Sequence, residues 1–156
     1  MKKRLFLLFP IIMVGLLTGC EKEIQEQSIT CTKQESTHHE TITLSGTNGK
    51  VSRFDAIYKY EPSIFGTDNL DNVEEDKKQE FINNMYTNLG FEKDKEYDGF
   101  NISVSVTDKV IVSYGGDINN NEAQTQLKKL GIDFSKTDLN FESAVDSYEI
   151  AGYTCK

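Results

Sequence analysis

Apolar residues along this chain follow three rhythms, each predicting a different kind of segment. From Leu5 to Leu17 they run almost unbroken. From Thr41 onward they alternate with polar residues, and between Phe81 and Leu89, and again after Asn119, they recur every three or four positions. A period of two marks half-buried strands, and a period near 3.6 marks amphipathic helices.

Thr41-Ile42-Thr43-Leu44 predicts a first strand and the stretch from about Lys50 to Tyr60 a second, joined at Thr47-Asn48-Gly49-Lys50. Two hairpin turns compete there. A two-residue turn on Asn48-Gly49 sets Leu44 opposite Arg53. A three-residue loop with Gly49 left-handed sets Leu44 opposite Ser52 and gathers Ile42, Leu44, Phe54, Ala56, Tyr58 and Tyr60 on one face. A slip of one residue moves a whole strand's side chains to the other face, so the second register is expected. Phe100, Ile102, Val104 and Val106 predict a third strand, and Val110, Val112 and Tyr114 a fourth. The loop Thr107-Asp108-Lys109 pairs Val106 with Val110 and Val104 with Val112.

The helical rhythm predicts a helix capped by Asn72, with Glu75 completing a capping box and Phe81, Ile82, Met85, Tyr86 and Leu89 as its buried stripe before a stop at Gly90. A second begins at Asn119, turns Ala123, Leu127 and Leu130 inward and stops at Gly131. After a turn over Ser135 to Asp138, a last helix carries Phe141, Ala144, Val145, Tyr148 and Ala151 and ends at Gly152. Hairpin, helix, hairpin, helix, helix is an α+β order: an antiparallel sheet built from two hairpins with helices packed on one face.

The unbroken apolar run has another meaning. Basic Lys2-Lys3-Arg4 precedes it, it is shorter than the roughly 20 residues of a membrane span, and Leu17-Thr18-Gly19-Cys20 closes it. This is the pattern of a lipoprotein signal, cleaved between Gly19 and Cys20, with an acyl-bearing lipid attached to the Cys20 sulfur. The expected division is a signal peptide over residues 1–19, a lipidated cysteine and polar tether over 20–36, and one α+β domain over 37–156. Such a protein is held on the extracytoplasmic face of a membrane by its lipid. Removing residues 1–19 takes away three cations, so the net charge of −8 becomes about −11. That charge opposes binding to nucleic acid and leaves membrane attachment to the lipid. With Cys20 acylated, Cys31 and Cys155 remain and predict one disulfide in an oxidising compartment.

The lipoprotein signal, the Thr-Ile-Thr-Leu strand turning at Asn48-Gly49-Lys50-Val51, the central helix, and Gly131-Ile132-Asp133-Phe134-Ser135 leading to a helix that ends Ala151-Gly152-Tyr153 together resemble the YehR-like lipoproteins. The resemblance implies a small α+β lipoprotein domain of unknown activity and supplies no catalytic residues. Cys31 and Cys155 are not part of that pattern.

Candidate chemistry is sparse. His38-His39-Glu40 holds both histidines, but neighbours on a strand point to opposite faces, so a solvated strand edge is expected and no metal or cofactor. Asp94 to Gly99 imitates the start of a calcium loop but has Ser105 at its last ligand position. Asp117 to Asn121 has Glu122 where that loop needs glycine. Both are read as turns. The acidic stretch from Asp68 to Asp76 reads mainly as a solvated helix start. Tyr58, Tyr60, Tyr86, Tyr114 and Tyr148 are candidates to rim a pocket, against the plainer reading as core. No catalytic constellation emerges. The expectation is a non-enzymatic domain that binds an envelope protein or a small ligand; a carboxylate-dependent hydrolase and a purely structural module are the alternatives.

Overall fold

The computed structural model describes residues 24–134 and 139–156. The signal segment, Cys20 and the turn expected at residues 135–138 lie outside them. Six strands form one sheet: β1 (Glu26–Gln34), β2 (His38–Thr47), β3 (Lys50–Tyr60), β4 (Phe100–Val106), β5 (Val110–Asp117) and β6 (Thr154–Cys155). Their order is β4-β5-β3-β2-β1-β6, and every neighbouring pair is antiparallel. The helices α1 (Glu75–Leu89), α2 (Asn121–Lys129) and α3 (Phe141–Ile150), with short 3-10 turns at Pro62–Phe65 and Leu70–Asn72, make the fold α+β. Among the described residues no helix is long and apolar enough to cross a membrane.

The β4–β5 register is the one that the alternation predicts, with Val106 opposite Val110 and Val104 opposite Val112. The β2–β3 hairpin reaches its expected inward face by neither of the two expected routes. Asn48 and Gly49 both have positive φ, 52° and 78°, and form a two-residue turn that sets Thr47 opposite Lys50. The register then shifts: Gly46 faces Val51 and Ser45 faces Arg53, which leaves Ser52 as an extra residue. This bulge restores the faces that the turn alone would invert, and Leu44 comes to lie opposite Phe54. Gly46 is required there, because a Cβ on it would stand 1.9 Å from the carbonyl oxygen of Lys50. The bulge and turn also anchor their surroundings. Ile118 N–H donates to the Ser52 carbonyl at 2.9 Å, and Phe141 N–H donates to the Gly49 carbonyl at 3.1 Å, so the start of α3 is pinned to this end of the sheet.

The polar spacer is shorter than expected. Residues Glu26–Gln34 lie within the stretch assigned to the tether, yet they form β1 and pair with β2 along their whole length. The domain therefore begins before residue 37. The reason is that β1 needs few apolar residues. Ile29 and Cys31 face the core, while hydroxyl contacts line the other face, Ser28 to Ser45 at 3.3 Å and Thr30 to Thr43 at 3.4 Å. Cys31, fully buried, is joined to Cys155 by the expected disulfide. The two cysteines stand opposite each other on β1 and β6. Beside them Thr30 and Lys156 exchange two backbone hydrogen bonds of 2.9 Å.

Helix starts also differ from expectation by small steps. Asn72 ends a 3-10 turn that buries Leu70 completely, and α1 starts after Glu74 without a side-chain cap. Asn120, rather than Asn119, caps α2 by accepting from the N–H groups of Glu122 and Ala123. Asn140 caps α3 through Ser143 N–H at 2.8 Å. The core collects Ile42, Leu44, Phe54, Ala56, Val110 and Val112 from alternate strand positions, with Ile82, Leu127 and Phe141 from the helices. Apart from Ile57 and Ile111, the positions between these core residues on β3 and β5 are polar: Arg53 grips Asp55 at 2.7 and 2.6 Å and reaches Asn101 at 3.0 Å.

Candidate functional site

At the end of the sheet opposite the β2–β3 turn, period-two alternation brings Tyr58 and Tyr60 of β3 and Val112 and Tyr114 of β5 to the inward face. The last turns of two helices meet them there: Met85, Asn88 and Leu89 from α1, and Lys129 with Leu130 at the end of α2. Together they line an open cavity of about 300 Å³.

The tyrosines form a connected set. The Tyr114 hydroxyl donates to that of Tyr58 at 3.2 Å, and their rings stack at 5.8 Å. Burial pushes the Tyr58, Tyr60 and Tyr114 hydroxyls above the ordinary phenol value, and the bond to Tyr58 raises Tyr114 further. Burial also pushes Tyr148 up to about 12. All four are therefore neutral hydrogen-bond donors at physiological pH. Gln126 stands three and four positions before Lys129 and Leu130, on the same side of α2. It is 7 % exposed, and among the described residues its Oε1 has no hydrogen-bond partner.

His38 and Glu40 extend this aromatic wall, which corrects the expectation of a solvated strand edge. β2 lies between β1 and β3, and His38 and Glu40 share the inward face with Ile42 and Leu44; their side chains are only 19 % and 13 % exposed. His38 Nε2 is 2.8 Å from Glu40 Oε1, its Nδ1 is 3.1 Å from the Thr37 hydroxyl, and its ring stacks on Tyr60 at 4.9 Å. The Tyr153 hydroxyl donates to the other Glu40 oxygen. Burial together with that carboxylate drives Tyr153 well above the phenol range. Hydroxyl, imidazole and carboxylate stand in the order of a nucleophile triad. Here, however, Glu40 is held from both sides and His38 lies against a ring, so the group fixes the wall in place. His39 points the other way, to Gln34 Oε1 at 3.1 Å.

The remaining sequence candidates disperse. Asp94 sits in a turn with φ 63°, and Asp117 Oδ1 accepts from Asn119 N–H at 2.8 Å just before the α2 cap. Among the described residues, no group of three or more His, Cys, Asp or Glu side chains is placed to hold a metal ion. Tyr86, expected with the other tyrosines, lies apart and donates to the Ile102 carbonyl at 3.4 Å. A larger cavity, about 450 Å³, lies between the 3-10 segment and α1, but Glu74, Lys77 and Glu80 line it together and Lys77 already pairs with Glu74 at 3.5 Å. Sequence reasoning missed Asn88 and Lys129 as lining residues and the Glu40–Tyr153 contact. A signal for Glu40 existed, because the period-two face of Leu44 and Ile42 continues back through Glu40 to His38.

No protein-family model matches the chain, and no curated protein matches it. Among solved structures it is similar to an NMR structure of a protein from Streptococcus pneumoniae TIGR4. The TM-score is 0.54 at 11 % identity, over 100 % of this chain and 96 % of the other. At that identity the likeness speaks for the fold alone.

Proposed function

We propose that this chain is a lipid-anchored binding domain on the extracytoplasmic face of a bacterial membrane, a non-enzymatic relative of the YehR-like lipoproteins that takes a small ligand in its aromatic cavity. The helices cover only the inward face of the sheet and leave the hydroxyl-rich face to solvent. The observation that carries the binding reading is the open cavity walled by Tyr58, Tyr60 and Tyr114, with three apolar side chains from two helices across from them. Anchoring rests on Leu17-Thr18-Gly19-Cys20, and the Cys31–Cys155 bond fits the oxidising compartment that such an anchor implies. The start of β1 at Glu26 leaves a tether that reaches about 20 Å from Cys20. Because β1 runs away from that point, the tether meets the domain near the β2–β3 turn, and the cavity lies toward the other end of the strands.

Two measurements test this reading. Cells fed a clickable palmitate analogue should label the wild-type protein and leave Cys20→Ala unlabelled; equal labelling of both would overturn the anchor. Native mass spectrometry of the protein taken from its own envelope should show a bound small molecule that Asn88→Trp, at the cavity mouth, displaces. A ligand that stays in place would remove the cavity from the proposal.

A further inference from the structure

Among the described residues, the cavity lining carries one formal charge. Among the described residues, Lys129 is the only ionisable side chain that lines it apart from the tyrosines; Glu40, on the same wall opposite Tyr58, is turned to His38 and Tyr153. In a chain with 25 acidic residues against 17 basic ones, a lining with a lysine and no carboxylate among the described residues runs against the overall charge. Lys129 forms no ion pair among the described residues; its ammonium group lies 5.5 Å from the Phe91 ring centroid. The neutral polar groups round the cavity add donors. Asn88 brings an amide, and because Tyr58 accepts from Tyr114, its own O–H is left to point elsewhere. Tyr60 brings a third donor. Met85, Leu89, Val112 and Leu130 supply the apolar remainder.

We infer that the cavity selects a small organic anion: a carboxylate, sulfonate or phosphate group held by Lys129 with a flat or apolar body lying against the tyrosines. This deepens the cavity reading above and rests on it. An anion in this position meets the Lys129 cation and hydroxyl donors, and the nearby Glu40 carboxylate is already engaged by His38 and Tyr153, whereas an organic cation would face Lys129 with only the tyrosine faces to offset it. The aromatic faces and the methionine thioether accept a planar body without requiring a particular hydrogen-bond pattern.

The test uses the whole protein purified in a non-ionic detergent, titrated calorimetrically with 1-naphthoate and with its neutral isostere 1-naphthamide, each against a detergent blank. The expected result is one saturable site for naphthoate and binding of naphthamide weaker by about tenfold. Lys129→Gln should bring the two within about threefold by weakening naphthoate alone, and Asn88→Trp should weaken both. Lys129 and Asn88 are both exposed on helix ends, so neither change threatens the fold. Equal binding of the two probes, or a ratio unchanged in Lys129→Gln, overturns the charge selection and leaves the cavity standing. Absence of saturable binding by either probe overturns the cavity reading together with this inference.

Discussion

The two ends of the sheet solve different problems. At the β2–β3 turn, backbone lies against backbone: Gly46 has no room for a Cβ beneath Lys50, one on Gly115 would stand 2.6 Å from the Phe54 carbonyl oxygen, and the Ser52 carbonyl is bonded to Ile118. At the other end, side chains set the spacing, and tyrosine rings, one of them backed by His38, and two helix ends stand round open space. The first end specifies register and strand order. The second leaves polar groups at a cavity where a wholly apolar filling would have packed more tightly. One domain thus separates precision of fold from availability for binding along the length of the same strands.

That contrast can be broken most severely at Gly46. Gly46→Ala should cost about 4 kcal/mol or prevent folding, since the clash is with backbone and not with a movable side chain. Urea unfolding followed by far-ultraviolet circular dichroism measures it, and a loss under 1 kcal/mol would mean that the bulge relaxes freely. Next comes the double change Cys31→Ala with Cys155→Ala, expected to cost about 3 kcal/mol by the same assay. Because Tyr153 lies two residues from Cys155, this loss should also loosen the Tyr153–Glu40 contact, seen as a fall in the Tyr153 titration midpoint by NMR.

The aromatic end should also reveal itself in alkali. A phenol whose folded value is raised stays protonated while its unfolded counterpart ionises, so its contribution is complete below pH 10 and is lost as pH climbs toward the folded value. With Tyr148 pushed up to about 12, stability should decline between pH 10 and 12, by about 1 kcal/mol from this group at pH 11. Tyrosinate absorbance rising together with unfolding, instead of before it, is the expected signature. Smallest is Gln126→Leu, which removes a buried amide whose oxygen has no partner among the described residues and should stabilise the free domain by up to about 1 kcal/mol in thermal unfolding. A loss would show that the amide is satisfied by water.

These ends also differ in how far they can be read from the chain. The β4–β5 hairpin is legible to the residue, because clean alternation on both sides of a short loop allows only one register that keeps the apolar faces together. In β2–β3 the faces are legible but the route is not, since whether Gly46 is a loop residue or the close-contact residue of a bulge depends on how the opposite strand approaches. β1 is hard to see because serine and threonine suit a solvated strand face and a spacer equally well. Tyr58, Tyr60 and Tyr114 can be named as candidates from composition. Lys129 and Asn88 join them only once two helix ends are placed over the sheet, which is tertiary information. Asn72 shows the limit of a local cap signal: burial of Leu70 is best served by a 3-10 turn, and the helix starts later.

The bond between Cys31 and Cys155 also fixes an order of events. The cysteines are 124 residues apart, so every element of the domain from β2 through α3 has been synthesised before their sulfurs can meet. The register that aligns them needs β6 laid against β1, and β1 in turn laid against β2. Oxidation therefore follows synthesis of those elements, and the bond then ties the chain's first and last strands of the sheet into one covalent loop.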